Sequence, residues 1–259
     1  MNIRIVVAGP RGKMGAEAIQ MIHREENLQL VGCIDRKHNG KVAENLPDVP
    51  IYEDAEECFK HIGADTFVDL TVPDVGYKHT KAALEQNIRP VIGTTGFTDE
   101  QISELSILSR EKKLGCIIAP NFAIGAVLMM TFSKMAAKYF PDVDIIEKHH
   151  DNKLDAPSGS SIKTAELMKE TRNVKDQGHP NEKETLIGAR GADFDGMRIH
   201  SVRLPGLVAH QEVLFGGPGQ TLSIKHDSYN RDSFMEGIKL AIEEVMNLEE
   251  LVYGLENIL

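Results

Sequence analysis

Apolar residues dominate Ile3 to Ala8, and a glycine-rich turn, Gly9 to Gly15, follows at once. From there to about Glu26, Ala18, Ile19 and Ile22 fall on one side of a helical period, which predicts an amphipathic helix. Leu28 to Ile34 reads as a second strand, and a looser stretch runs on to Pro50. Asp65–Thr71, Pro90–Gly93 and Gly115–Ala119 are short apolar runs that predict further strands. Helices are expected over Asp74–Gln86 and from Thr98 to about Lys113. Thr98 with Gln101 three residues on is the pattern of a capping box. Strands alternating with helices of about 10–15 residues predict βαβ units and a parallel sheet.

The pattern changes after Asn121. A helix is expected from about Gly125 to Lys138, then a strand over Val143–His150, then a polar, turn-rich segment from Glu170 to Thr185. Arg198–Arg203, Val208–Phe215 and Gln220–His226 alternate or run apolar between Gly/Pro breaks, as strands of an antiparallel or mixed sheet with one open face do. The chain closes on a helix from about Asp232, with Phe234, Ile238, Ala241, Ile242 and Val245 at helical spacing; its stripe suits packing on either half, and the first is favoured.

Gly9-Pro10-Arg11-Gly12-Lys13-Met14-Gly15 fits G-x-x-G-x-x-G, a variant of the dinucleotide fingerprint. The chemistry needs a tight turn after the first strand, backbone N–H groups close to a pyrophosphate, and a third glycine where helix meets strand. Context strengthens the motif: it follows a strand, opens a helix, and precedes Asp35, 20 positions past Gly15, where a carboxylate accepts from the adenosine ribose. Arg36 and Lys37 are placed to meet a 2′-phosphate that Asp35 would repel, and Arg11 could swing toward it, so NADH and NADPH both stay open. The fold class is therefore α/β: a Rossmann-like parallel-sheet dinucleotide domain plus a smaller α+β domain with a mixed or antiparallel open-faced sheet. Residues 1–121 with the returning helix 232–259 form the first domain, and 122–231 a substrate-binding and oligomerisation domain.

The 259 residues suffice for a full core without disulfides. The formal net charge of −10 and the lack of a Lys/Arg block argue against a nucleic-acid partner. The longest apolar run, Ala123–Phe132, is far short of the roughly 18 residues of a membrane span. Met1–Val7 lacks the parts of a signal peptide, and Cys33, Cys58 and Cys116 have neither disulfide nor zinc spacing, so a reducing cytoplasm is expected. In an acidic protein, an anionic ligand needs a local basic pocket or backbone N–H groups.

Glu147 to Ser160 supplies both. The segment ends a strand, crosses a loop carrying His149, His150 and Lys153, and reaches Pro157-Ser158-Gly159, where Ser160 and Ser161 precede a helical stretch. Free N–H groups at a helix start bind anions, and an imidazole and an ammonium add charge and a transferable proton. Both histidines reach one site only if the strand has ended by His150, because neighbours in a strand face opposite sides. A metal set from His149, His150, Asp151 or Asp155, with His179 as an outsider, matches no helix-borne ligand spacing, so no metal is expected.

Glu147–Ser160 resembles the signature E-x-H-H-x-x-K-x-D-A-P-S-G-T of the 4-hydroxy-tetrahydrodipicolinate (dihydrodipicolinate) reductases. The resemblance extends through Gly93-Thr94-Thr95-Gly96-Phe97, Ala119-Pro120-Asn121-Phe122 and Ser201-Val202-Arg203 to Phe215. Ser160 replaces the more usual Thr and keeps the hydroxyl. Val72 stands where some members carry an Arg near the coenzyme phosphate, leaving that contact to Arg36 and its neighbours.

The resemblance implies an NADPH- or NADH-dependent reduction of dehydrated 4-hydroxy-tetrahydrodipicolinate in lysine and diaminopimelate biosynthesis, by a homotetramer. It implies that Gly9, Pro10, Arg11, Gly12, Lys13 and Met14 hold the pyrophosphate, Asp35 the ribose and Arg36 a 2′-phosphate. Gly93, Thr94 and Thr95, with Ala119, Pro120, Asn121 and Phe122, would position the nicotinamide. His150, Lys153, Gly159 and Ser160 would bind the substrate carboxylates, and His149 and Lys153 would handle the proton. Lys153 serves as the acid if burial near cations lowers its pKa, and His149 is the other candidate, with an ordinary value of about 6.5. Closure about hinges near Asn121–Phe122 and Asn230–Asp232 is expected to exclude water from the hydride step, with Arg231 at the second hinge more in keeping with a surface ion pair than with substrate. An amino-acid dehydrogenase would not need His-His-x-x-Lys before Pro-Ser-Gly, and a non-catalytic redox sensor could dispense with His149 and Lys153.

Overall fold

A computed structural model describes residues 2–36 and 49–259. Two compact units emerge: Met1–Ile124 with Arg231–Leu259, and Gly125–Asn230.

The first unit opens β1 (Ile3–Ala8), α1 (Lys13–Arg24), β2 (Leu28–Ile34), β3 (Ile51–Tyr52), α2 (Ala55–His61), β4 (Thr66–Asp69) and α3 (Pro73–Glu85). It continues through β5 (Arg89–Ile92), α4 (Asp99–Lys112) and β6 (Cys116–Ile118). After the second unit the chain comes back as a short 3₁₀ turn (Arg231–Phe234), the helix Met235–Glu244 and the strand Leu251–Tyr253. That last strand lies parallel to β6, with Leu251 opposite Cys116. The seven strands are all parallel, in the order Leu251–Tyr253, β6, β5, β4, β1, β2, β3. A parallel sheet is covered on both faces, which is why β1 and β4 read as continuous apolar runs: Ile5, Val6, Val7, Ala8, Phe67 and Val68 have no exposed surface. Thr98 and Gln101 form the expected capping box at α4. Lys239 of the last helix reaches Glu25 just past α1 at 2.7 Å, so this helix packs on the first unit.

Three elements here were not foreseen. β3 and Leu251–Tyr253 have two and three residues, too few to show a period of two. α2 has seven, and its clearest signal is Asp54, whose side chain accepts from the Glu57 amide as an N-cap. Lys37, a candidate phosphate ligand, lies outside the described residues.

The second unit contains α5 (Ile124–Ala136, whose first residue belongs to the first unit), β7 (Asp142–His149), α6 (Gly159–Lys169), β8 (Ala192–Phe194), β9 (Met197–Arg203), β10 (Ala209–Gly217) and β11 (Gln220–Ser228). Its sheet runs β11-β10-β7-β9-β8, with β7 and β9 parallel and the other pairs antiparallel. Val143, Ile145, Met197, Ile199, Val213 and Phe215 are buried, while Leu214, at the alternate position between Val213 and Phe215, stays partly exposed. That is the mixed, open-faced sheet the alternation implied; β8, three residues long, was missed. The turn-rich segment is tied down by Arg172, which donates to the carbonyls of Pro141 (2.6 Å), Lys175 (2.7 Å) and Asp195 (2.8 Å). Carbonyl partners are what a nearly buried guanidinium needs.

Candidate active site

In the first unit the glycine loop is built by close backbone approach. Gly9 takes φ +81°, and its carbonyl accepts from the Gly12 amide at 2.9 Å. A Cβ on Gly15 would stand 2.1 Å from the Gly9 oxygen, so only glycine lets α1 start this near the loop. Gly12 is the N-cap of α1 and contributes no side-chain cap, leaving first-turn N–H groups for another acceptor. Arg11, Gly12 and Lys13 are exposed, Met14 is half-buried and Pro10 is buried. Asp35 follows β2, and Arg11 donates to both of its carboxylate oxygens, one from Nη2 at 2.7 Å. Gly9, Asp35, Arg36, Thr71 and Val72 line a cavity of about 370 Å³. An open helix start, a glycine cradle and a carboxylate at the next strand end fit a dinucleotide.

The same cavity is lined by His79, which the sequence reading did not single out. Its Nδ1 meets Asp69 Oδ2 at 3.0 Å. Asp69, wholly buried at the end of β4, accepts on Oδ1 from the Thr71 and Thr94 hydroxyls, each at 2.6 Å, and from the Thr71 amide at 3.0 Å. One carboxylate thus anchors the loops after β4 and β5. Thr94 is buried in this network, whereas Thr95 is exposed. Ala119 and Phe122 are buried, Pro120 is exposed, and Asn121 accepts from the Ala123 amide at 2.9 Å. Gly93 has no room for a Cβ, which would meet Leu70 at 2.7 Å and Phe122 at 2.9 Å.

In the second unit β7 ends at His149, and His150 starts a turn closed by the Lys153 amide on the His150 carbonyl at 3.2 Å. Strand alternation therefore does not force the two histidines apart. His150 is exposed, whereas His149 is held by polar partners. Its Nδ1 is hydrogen-bonded to Glu147, two residues back on the same strand face. Glu147 has no exposed surface. Arg203 of β9 grips it with both terminal nitrogens, at 2.8 Å and 2.7 Å, and the Ser158 amide donates to it at 3.2 Å. Burial alone would raise the Glu147 pKa, but hydrogen bonds from Arg203, Ser201 and His149 hold it below the ordinary carboxylate value. Burial pushes the His149 imidazole down; Glu147 opposes this, and the Lys153 and Arg203 charges add to the lowering.

The Lys153 ammonium pairs directly with the Asp155 carboxylate at 2.7 Å, so its nearest charged partner is an anion. Only Leu154 separates the two, so the aspartate of Lys-Leu-Asp folds back on the lysine. One expectation needs correction. Helix α6 begins at Gly159, not beyond Ser161: Ser158 is the N-cap and accepts from the Ser161 amide at 3.3 Å. Gly159 and Ser160 are thus its first turn, and Gly159 is open, with nothing within 4 Å of a would-be Cβ. Ser161 in turn donates to Gln211 of β10 at 2.9 Å, and Gln211 to Thr164 at 2.8 Å, fixing α6 on the sheet. Arg231 is exposed at the start of the 3₁₀ turn.

The comparisons agree with this geometry. The family model "Dihydrodipicolinate reductase, N-terminus" matches residues 3–122, and "Dihydrodipicolinate reductase, C-terminus" matches 125–259. The chain belongs to the dihydrodipicolinate reductase family. A 4-hydroxy-tetrahydrodipicolinate reductase of Oceanobacillus iheyensis is 67% identical, with all of both chains covered. One from Lysinibacillus sphaericus is 60% identical, again over all of both chains. Among solved structures, the dipicolinate-bound dihydrodipicolinate reductase of Paenisporosarcina sp. TG-14 covers all of both chains at 57% identity, with a TM-score of 0.94. Enzymes of this family are pyridine-nucleotide-dependent oxidoreductases. Glu147 was visible in the family signature, and period-two alternation puts it on the face of His149. Its partner Arg203 lies 56 residues further on, and no spacing rule links them.

Proposed function

We propose that the chain reduces dehydrated 4-hydroxy-tetrahydrodipicolinate to tetrahydrodipicolinate, in lysine and diaminopimelate biosynthesis, with NADH or NADPH. The observation that carries the reading is the joining, at one end of the second sheet, of a buried-carboxylate-held imidazole, an ammonium and the open first turn of α6. A cyclic dicarboxylate needs such a set: N–H donors and a cation for two carboxylates, and a group able to pass a proton. The Gly159 and Ser160 amides and the Ser160 hydroxyl take one carboxylate; His150 and Lys153 take the other.

When bound, the reduced nicotinamide supplies hydride to an electron-poor ring carbon conjugated with the imine. Lys153 then offsets the negative charge that develops on the ring, and Lys153 or His149 delivers the balancing proton. In the first unit the Gly9–Met14 loop cradles the pyrophosphate, which meets the free first-turn amides of α1, and Asp35 accepts from the ribose. Arg36 and Arg11 face the 2′ position, so both coenzymes are accepted. Gly93, Thr94 and Thr95, with Ala119, Pro120, Asn121 and Phe122, shape the nicotinamide end, Thr94 and Phe122 from buried positions behind it.

The enzyme works as a homotetramer, and the partly exposed outer face of the second sheet is available to be covered. It resides in the cytoplasm, in keeping with three free, buried cysteines; burial drives the Cys33 and Cys58 thiols up to about 12. Among the described residues no helix is long and apolar enough to cross a membrane. The test is an assay with freshly made substrate and each coenzyme in parallel, followed at about 340 nm, a wavelength set by the coenzyme. Oxidation of both is expected; coenzyme binding with no oxidation of either rejects the proposal.

A further inference from the structure

We propose that Glu147 is the positioning residue of the proton-handling imidazole: it holds His149 in the tautomer protonated at Nδ1 and, through the Ser158 amide, ties that ring to the first turn of α6. The inference rests on the role proposed above for His149. Each oxygen of Glu147 carries two donors. Oε1 accepts from Arg203 Nη2 and the Ser158 amide, and Oε2 from Arg203 Nη1 and His149 Nδ1. A guanidinium and a backbone amide can only donate, and a carboxylate so surrounded stays ionised and can only accept. The proton between Glu147 and His149 therefore belongs to Nδ1.

Two consequences follow. A neutral His149 presents a lone pair at Nε2, so it must take up a proton there before it can give one. The charged groups that face it are Glu147 on its own strand, Arg203 from β9, and Lys153 from the loop, the last paired with Asp155. Arg203 and Lys153 disfavour the imidazolium, and Glu147 is the anion in direct contact that favours it. Second, the Ser158 amide shares its acceptor with the imidazole, so the ring and the carboxylate-binding helix start are set by one rigid group. An orienting carboxylate of this kind fixes tautomer and ring direction in hydrolytic triads as well.

The first test needs no variant. Nitrogen-15 NMR of the histidine-labelled full chain at pH 8, with the signal assigned by its loss in His149→Ala, is expected to show Nδ1 protonated and Nε2 bare. A proton on Nε2 overturns the proposal. Kinetics of Glu147→Gln, Glu147→Asp and His149→Ala supply the second. In Glu147→Gln, kcat is expected to fall by roughly 10²-fold or more, KM to change far less, and the limb of the pH profile governed by His149 to move to lower pH. Glu147→Asp is expected to recover part of the loss. A folded Glu147→Gln enzyme with wild-type kcat and an unmoved pH profile overturns the positioning role. Full turnover in His149→Ala instead removes the role proposed for His149 itself, whatever the tautomer. Should the Gln variant not fold, the wild-type tautomer still decides.

Discussion

Replacing Gly15 by alanine adds one methyl group at the point where α1 meets the glycine loop. Its Cβ would sit 2.1 Å from the Gly9 carbonyl oxygen, 2.8 Å from the Gly9 carbon and 3.2 Å from the Pro10 Cα. Ordinary contact is about 3.5 Å, so the overlap exceeds an ångström, and all three atoms are backbone. Gly9 cannot simply retreat: its amide donates to the Ile34 carbonyl at 3.1 Å and its carbonyl accepts from the Gly12 amide at 2.9 Å. Alanine is the better helix former by about 1 kcal/mol, but relief of the overlap costs about 1–3 kcal/mol, so the sterics win or nearly cancel the gain in stability. Binding has no such compensation. A shift of about 1 Å in groups that must meet a pyrophosphate weakens their effect by roughly 10²-fold. The expected outcome for Gly15→Ala is a coenzyme Kd raised by about that factor, measured by titration calorimetry, with a Tm lowered by no more than roughly 10 °C. Wild-type coenzyme affinity in the variant would show that α1 does not approach the loop as described.

Arg203→Met strips a fully buried carboxylate of its bidentate partner. It should cost about 3–5 kcal/mol, visible as a lower denaturation midpoint in urea; an unchanged midpoint would mean that Glu147 is solvated. The pKa values of His149 and His226 are depressed in the fold, both chiefly by burial. Neutral in both states at high pH, these groups begin to protonate first in the unfolded chain, so their contribution is complete above about 6.5 and is lost as pH falls through the lower folded values. Tm should therefore decline between pH 7.5 and pH 5, and a Tm that is flat or rises on acidification contradicts the assignment. Lys153→Ala should reduce kcat as well as raise KM; a variant that loses only substrate affinity rejects Lys153 as the acid.

Local rules carried far into this protein. The strand–glycine–helix order at Gly9–Gly15, the acidic residue after β2 and the cap at Thr98 were all legible, because each depends on neighbours within a few residues. The alternation that puts Glu147 and His149 on one strand face was legible for the same reason. Of the shortest strands, β6 was read from the apolar run around it, but β3, β8 and Leu251–Tyr253 were not legible, since two or three residues cannot display a period. Nor was the start of α6, where three nearby serines compete for the cap and only the contact of Ser161 with Gln211 picks out Ser158.

The amino-acid sequence thus determined which segments are strands and helices, where a phosphate could meet free amides, and which charged side chains the second half offers an anionic ligand. The tertiary structure decided how those side chains are held. Arg203, on a strand 56 residues from Glu147, makes that carboxylate an ionised, saturated acceptor and so governs His149. Asp69 gathers Thr71, His79 and Thr94 from three separate segments. The physical reason is that protonation and tautomer depend on burial and on partners in space, which sheet register brings together and linear spacing does not record.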